Sequence, residues 1–510
     1  MSARALYVAG VLGRLLADEL RRPGRRPGRR DGEEKGEKGE EGEESGRARA
    51  VREALQALGP FYIKVGQMLS TRPDFVPEAV LAELRLLHDQ VTPDPFAVFE
   101  PVLAAEYGPR WPRLFRDIDT GTPLGAASLA QVYRADLADG TPAAVKIQRP
   151  GVARIMAQDM TVLRKAARLV ARAAPRFATV VDVPAMLGVL FDAMQDESDF
   201  RREAGNMRHG LRLTQEFEHL TVPRVLLSPT RRVLVQSLAP GTSVRDADPA
   251  AFTADERAGI GRDLMAFMYR GYFLDRYFHA DPHPGNVFVA PGHPAHLIDW
   301  GMVGRIDTTI SRSLVLVLLN VAAGDGPGLA RTWAEMGNPT SWADLPGFRT
   351  DMSALVPKVA SASLEDLDFG VTLTAVLVHA TRRGIRSSPV IALLGKSFAN
   401  LEGSIRHLCP ELSVTNVFAE NLRTILFGLA QETLSEQQAA RTAIELMIAA
   451  PGTLQQGRGI LRHLADNDLT LRITNTGGPP GHGRTATGPD HTRAALVLAA
   501  AVIWAARNRR

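Results

Sequence analysis

The chain has 510 residues, 45% hydrophobic and 23% charged, the balance of a globular protein with roughly three domain-sized units. Lys and Arg number 60 against 56 Asp and Glu, so the net charge is only +4, too small for a nucleic-acid-binding surface, and no nucleic-acid partner is expected. A single cysteine, Cys409, excludes intrachain disulfides and cysteine-based zinc sites, and 45 Gly and 33 Pro without a Gly-X-Y period exclude a collagen-like rod.

Residues 1–20 read as an amphipathic N-terminal helix, with a short signal core over 5–13 as the weaker alternative because the following RLLADEL does not suit cleavage. Residues 21–46, an Arg-Pro-Gly stretch and then DGEEKGEKGEEGEESG, read as a low-complexity charged linker. Helical spacing begins near Arg47, and 47–119 is taken as a helical extension. Residues 120–240 form a unit with β-strands: Ala130–Leu137 and Ala143–Gln148 flank an Asp139-Gly140 turn, which predicts a hairpin. Helical spacing returns over 152–215, and 231–238 reads as a strand. In 241–330 the spacing predicts a helix over Thr253–Phe273 and short strands at Val287–Val289 and His296–Ile298. Residues 331–474 read as a mainly helical extension, 475–490 as a Gly/Pro/Thr-rich linker and 491–510 as an apolar tail. Within that tail Ala494–Ala506 carries no charge and is followed by arginines. It is short for a full span and admits a buried helix, an interfacial helix or a short membrane anchor, of which membrane association is favoured.

The order of elements is that of a two-lobed, α+β, kinase-like fold with helical additions at both ends. Phosphate chemistry on a nucleotide needs a loop over the phosphates, a cation on them, magnesium ligands and a positioning carboxylate, and candidates occur in that order. Lys146, in Ala144-Val145-Lys146-Ile147, is a strand lysine between apolar residues and is either aimed into a cleft or an edge-strand lysine on solvent. Asp281 and Asn286 stand five apart in His279-Ala280-Asp281-Pro282-His283-Pro284-Gly285-Asn286, the kinase catalytic-loop spacing. Asp299 leaves an apolar strand in Ile298-Asp299-Trp300-Gly301, a D-F-G-like pattern with Trp for Phe. Other sites fail. Gly395-Lys396-Ser397 lacks the first glycine of a P-loop, and Pro282 and Pro284 break the helix that zinc binding by His279 and His283 would need.

With these residues the chain resembles the UbiB/AarF/ADCK family of atypical kinase-like proteins, from about residue 50 to about residue 415. The resemblance rests on Phe61-Tyr62-Ile63-Lys64-Val65-Gly66-Gln67 for the family's K-x-G-Q motif, and on Gly125-Ala126-Ala127-Ser128 for its Ala-rich nucleotide loop. It rests further on Glu197-Ser198-Asp199 for its E-x-D motif, and on the catalytic loop. It implies N-terminal K-x-G-Q helices, a helical insertion in the N-lobe and a helical C-terminal extension. It implies that Lys146 pairs with Glu203, that Lys64 reaches into the cleft and pairs with Glu197, and that Asp281 positions or deprotonates an acceptor. Asn286 and Asp299 would then hold Mg2+, and Gln236 to Leu238 would contact the adenine of ATP. Without the resemblance, solvated helix faces are the preferred reading for Lys64 with Gln67, and for Glu197 and Asp199 with Glu203.

The implied activity is a Mg-dependent ATPase or a small-molecule or lipid kinase. Ala126 and Ala127 place methyls where glycines would let the backbone approach phosphates. No Ala-Pro-Glu follows Asp299 before the helix near Ser311, so a peptide-substrate platform is missing. The family implies support of isoprenoid quinone or other membrane lipid metabolism at the cytoplasmic face of a membrane. Membrane lipids, quinone intermediates and membrane-bound biosynthetic proteins are the implied partners. A nucleotide-binding pseudoenzyme scaffold is the alternative.

Overall fold

The computed structural model describes residues 33–70, 78–87, 92–173, 198–361 and 369–433, with positions 11, 76, 188, 191 and 194 between them. The expected helix over 1–20 (Val11 apart), Glu197, the linker 475–490 and the tail 491–510 lie outside the described residues. The described residues up to Asn421 belong to one compact unit, which holds every residue of the candidate site.

Helix α1 runs over Glu33–Leu58, α2 over Pro60–Leu69 and α3 over Glu78–Arg85. The start at Glu33 corrects the expected linker over 21–46. Glu and Lys are strong helix formers, and their density outweighs Gly36, Gly39 and Gly42. Gly59, at φ 94°, ends α1, and Pro60 opens α2, each residue at the helix end that suits it. Leu58, Phe61, Tyr62 and Val65 bury an apolar face against Leu129, Val152, Met156 and Met160. That packing anchors the helix carrying Lys64 to the lobe that follows.

The small lobe starts earlier than the boundary expected near residue 119. Helix α4 (Glu100–Tyr107) and strand β1 (Phe115–Ile118) both belong to it, since Phe96, Phe99 and Leu103 share one core with the strand residues Tyr133, Val145, Ile147 and Val235. Strands β2 (Gly125–Ala126), β3 (Ala130–Leu137) and β4 (Pro142–Gln148) follow. Next come helices α5 (Val152–Ala173) and α6 (Phe200–Leu213), and then β5 (Leu220–Thr221) and β6 (Val233–Ser237). The antiparallel sheet has the order β1-β3-β4-β6, with β2 paired to β3. Gly140, at φ 86°, turns β3 into β4 as the Asp-Gly pair predicted. Side chains alternate across a strand. Val145 and Ile147 are therefore fully buried on one face of β4, and Lys146, opposite Val132 and Leu234, projects from the other.

The large lobe carries β7 (Thr242–Ser243), helix α7 (Ala254–Phe273), β8 (Tyr277–His279), β9 (Val287–Val289), β10 (Ala295–Leu297) and β11 (Val303–Arg305). Its sheet has the order β5-β10-β9-β7, and β8 pairs with β11. Thr253 caps α7 in a reciprocal capping box with Glu256, so the predicted helix start holds. Helices α8 (Thr308–Ala322), α9 (Gly326–Met336), α10 (Leu345–Ser361), α11 (Phe369–Arg382), α12 (Pro389–Leu408) and α13 (Val414–Thr433) make up the helical C-terminal region. A two-stranded ladder between Asn338–Pro339 and Ile385–Arg386 interrupts it. No helix among the described residues is long and apolar enough to cross a membrane.

Candidate functional site

Two chain segments carry the acidic residues. The first is the turn between β10 and β11. Asp299 sits there at φ 58°, a conformation that among the described non-glycine residues only Arg276 shares. The buried His279 side chain fixes it, with Nε2–H donating to the carbonyls of Ile298 and Asp299 at 3.1 and 3.0 Å. Nδ1 of the same ring accepts the Asp281 N–H at 3.2 Å, so the imidazole is the neutral Nε2–H tautomer. Burial holds His279 below the usual histidine range, which agrees with that assignment.

Lys146 reaches this turn from the other lobe. Its ammonium donates to both oxygens of Glu203 at 2.8 and 2.9 Å and to Asp299 Oδ1 at 3.0 Å, with the Phe200 ring 5.3 Å away. The edge-strand alternative for Lys146 therefore fails, and so does the solvated-face alternative for Glu203, which is 2% exposed. Asp199 instead caps α6, its side chain accepting the Arg201 N–H. Burial works against the charge on Lys146, and Asp299 and Glu203 more than offset it, so its ammonium is held above the usual lysine range. Lys146 in turn holds Asp299 well below the carboxylate range against its burial, with Lys64 adding to the pull. Half of the Asp299 side chain nevertheless stays accessible, at 51%, so this carboxylate remains open to a ligand.

Trp300, in the place of the usual Phe, is fully buried. Its Nε1–H donates to Leu297 O at 2.9 Å, its ring meets His279 edge to face at 5.0 Å, and its carbonyl accepts from Asn206 of α6 at 3.0 Å. The larger ring is accommodated because α6 offers Gly210, where a Cβ would overlap it.

The second segment is the loop after β8. Asn286 Nδ2 donates to the Asp281 carbonyl at 3.0 Å, which leaves Oδ1 as an acceptor. The Ile298 N–H donates to Asn286 O at 2.9 Å, tying the two acidic segments together. The Asp281 carboxylate is met from a direction the sequence did not disclose. Lys396 Nζ lies 3.0 Å from Oδ2, and Asn400 Nδ2 lies 2.5 Å from Oδ1, both on α12. Burial pushes Asp281 up, and the charges of Lys396, first, and of Lys64 help hold it below the ordinary value. Lys64 of α2 thus acts on both aspartates; its expected partner Glu197 lies outside the described residues.

The loop Gly125–Ser128 starts at β2. Ala127 bonds through its N–H to Ala130 O, and its carbonyl accepts from Arg149, whose guanidinium also pairs with Asp94. The Ser128 hydroxyl is buried without a hydrogen-bond partner. Gln236 and Leu238 lie at the end of β6, where the Leu238 N–H is spent on Pro142 O at 3.2 Å and closes the sheet. Lys396 and Asn400 were missed because the only signal at Lys396 was a broken P-loop pattern. Their spacing of four marks one helix face, but it does not say what that face meets.

A protein-family model for the ABC1 atypical kinase-like domain matches residues 86–332. The "Probable protein kinase UbiB" of Pseudomonas entomophila (strain L48) is 31% identical over 439 residues, 84% of this chain and 78% of that protein. An uncharacterized protein of Synechocystis sp. is 30% identical over 361 residues, 69% of this chain and 88% of that protein. A solved structure, described as the complex of Rv3197 with erythromycin from Mycobacterium tuberculosis, is 21% identical with a TM-score of 0.44, covering 71% of this chain and 98% of that one.

Proposed function

The chain belongs to the UbiB/AarF/ADCK family of ABC1 atypical kinase-like proteins, and from that premise we propose that it binds ATP with Mg2+ and cleaves or transfers the terminal phosphoryl group. The observation that carries this reading is the convergence of Lys146, from the small lobe, on Asp299, from the large lobe, at 3.0 Å.

The residues suit the cofactor. The accessible Asp299 carboxylate and the spare Oδ1 of Asn286 are hard oxygen donors of the kind magnesium takes. The unpartnered Ser128 hydroxyl is a buried donor at the loop expected to meet phosphate. When bound, the metal supplies charge neutralisation between phosphate oxygens. The protein's own part is positioning. Glu203 holds Lys146 with two of its three ammonium protons, and the third rests on Asp299. A phosphate bound here would compete for that third proton, and Asp299 with Asn286 would hold the cation. Asp281, ionised, is the group that orients or deprotonates an acceptor hydroxyl or water.

The acceptor in this reading is water or a small, lipid-like molecule. The lack of an Ala-Pro-Glu segment between Asp299 and the helix near Ser311 supports that choice. Support of isoprenoid quinone or other membrane lipid metabolism follows from the family, and membrane attachment through 494–506 accords with the charge-free sequence there. A second reading, a nucleotide-binding scaffold for membrane-bound biosynthetic proteins, is favoured by one feature: both oxygens of Asp281 are already engaged by α12.

Hydrolysis of Mg-ATP by the full chain, with and without anionic lipid vesicles, separates the two. The enzyme reading expects lipid-stimulated turnover that Asp281→Asn removes. An Asp281→Asn chain that restores a deletion strain as well as the wild type would overturn it in favour of the scaffold.

A further inference from the structure

We infer that helix α12, outside the residues matched by the kinase-like family model, completes the site with two positioning residues, Lys396 and Asn400, that fix the orientation of the Asp281 carboxylate. The inference rests on the Mg-ATP reading above, since it assigns these residues to the group proposed to handle the acceptor.

Four bonds from one face of α12 reach one short stretch of loop. Besides the contacts of Lys396 and Asn400, Ser397 Oγ donates to His279 O and Ser404 Oγ to Pro282 O, each at 2.7 Å. Both serines are buried, and Tyr272 Oη meets Ser397 Oγ at 2.7 Å, so the helix is seated on α7 as well as on the loop. The residues involved, 396, 397, 400 and 404, recur at the three-to-four spacing that puts side chains on one helix face. Asp281 is thereby bracketed: its neighbours at 279 and 282 are tied through their carbonyls, and its own two oxygens receive a donor each.

This bracketing leaves chemistry possible. An ionised carboxylate offers about four lone-pair positions, and Lys396 and Asn400 occupy one on each oxygen. The remaining ones face a defined direction, which is what a positioning carboxylate needs.

The test uses the purified full chain and three variants, Lys396→Met, Lys396→Arg and Asn400→Ala, assayed for Mg-ATP hydrolysis. Positioning predicts that Lys396→Met lowers kcat by about 100-fold while KM for ATP moves less than about twofold. Lys396→Arg should recover most of that kcat, and Asn400→Ala should lower kcat by about tenfold with KM nearly unchanged. A Lys396→Met kcat equal to that of the wild type, or equal losses in kcat and in ATP affinity, would overturn the inference. A thermal-unfolding cycle of Lys396→Met with Asp281→Asn is read alongside. Coupling supports action through Asp281 and additivity overturns it, even if the wild type proves to hydrolyse no ATP, a result that defeats the proposed function alone.

Discussion

The two acidic segments of the cleft solve one problem in different ways. Asp299 receives its lysine from β4 of the small lobe, and that lysine is itself held by the buried Glu203. Asp281 receives its lysine from α12 of the C-terminal region, with an amide from Asn400 on its other oxygen. At Asp299 the charge of Lys146 is the largest influence and exceeds burial; at Asp281 burial is the largest single influence, and it is opposed by Lys396, with Lys64 adding to the pull. Half of the Asp299 side chain is accessible, and only a quarter of Asp281's, 25%. In the proposed reading the first segment exchanges partners with a ligand, and the second keeps its partners and holds one direction.

The largest expected effects separate these roles. Asp281→Asn should lower the kcat of Mg-ATP hydrolysis by about 10²–10⁴-fold and leave Mg-ATP affinity nearly unchanged. Asp299→Asn should weaken magnesium-dependent ATP binding by roughly 100-fold or more, measured by calorimetry with and without the metal. Equal effects of the two variants on affinity would erase the distinction.

Next comes Lys146→Met, which leaves Glu203 charged and buried without its cation. A loss of about 3–5 kcal/mol in denaturant unfolding is expected, part of which Lys146→Met/Glu203→Leu should recover. Gly210→Ala should cost about 1–3 kcal/mol by overlap with Trp300, and Trp300→Phe should relieve it; an additive pair would show that the indole does not set the limit.

The smallest effect is a pH dependence. Burial holds His279 and His283 neutral in the folded chain, each below the ordinary value of 6.5. The unfolded chain therefore binds protons first as pH falls, and stability should begin to drop below about pH 6.5. The contributions of Asp281 and Asp299, whose folded pKa values are depressed, are complete above about pH 4 and are lost only as pH falls further. Thermal unfolding of His279→Gln with no change in slope between pH 7 and pH 5 would remove His279 from that account.

What could be read in the sequence follows the same division. The hairpin carrying Lys146, the helix start at Thr253 and the two short strands around the turn at 290–294 were legible, because alternation, an Asp-Gly turn and a capping pattern are local signals. So was the Lys146–Glu203 pair, through the family resemblance. The beginning of the small lobe was not, because Phe99 and Leu103 sit on a helix whose partner sheet lies further along the chain. Nor was the helix from Glu33, where glycines masked good helix formers. Lys396 and Asn400 were illegible for the deeper reason that a helix face states its composition, and tertiary packing alone decides that the loop of Asp281 lies against it.

A structure of the full chain with a non-hydrolysable ATP analogue and Mn2+, read by anomalous scattering, tests the central claim most directly. The account predicts a metal peak between Asn286 and Asp299, with the analogue's phosphates against Lys146. Ordered nucleotide whose metal lies away from both residues, or whose phosphates do not approach Lys146, would contradict it.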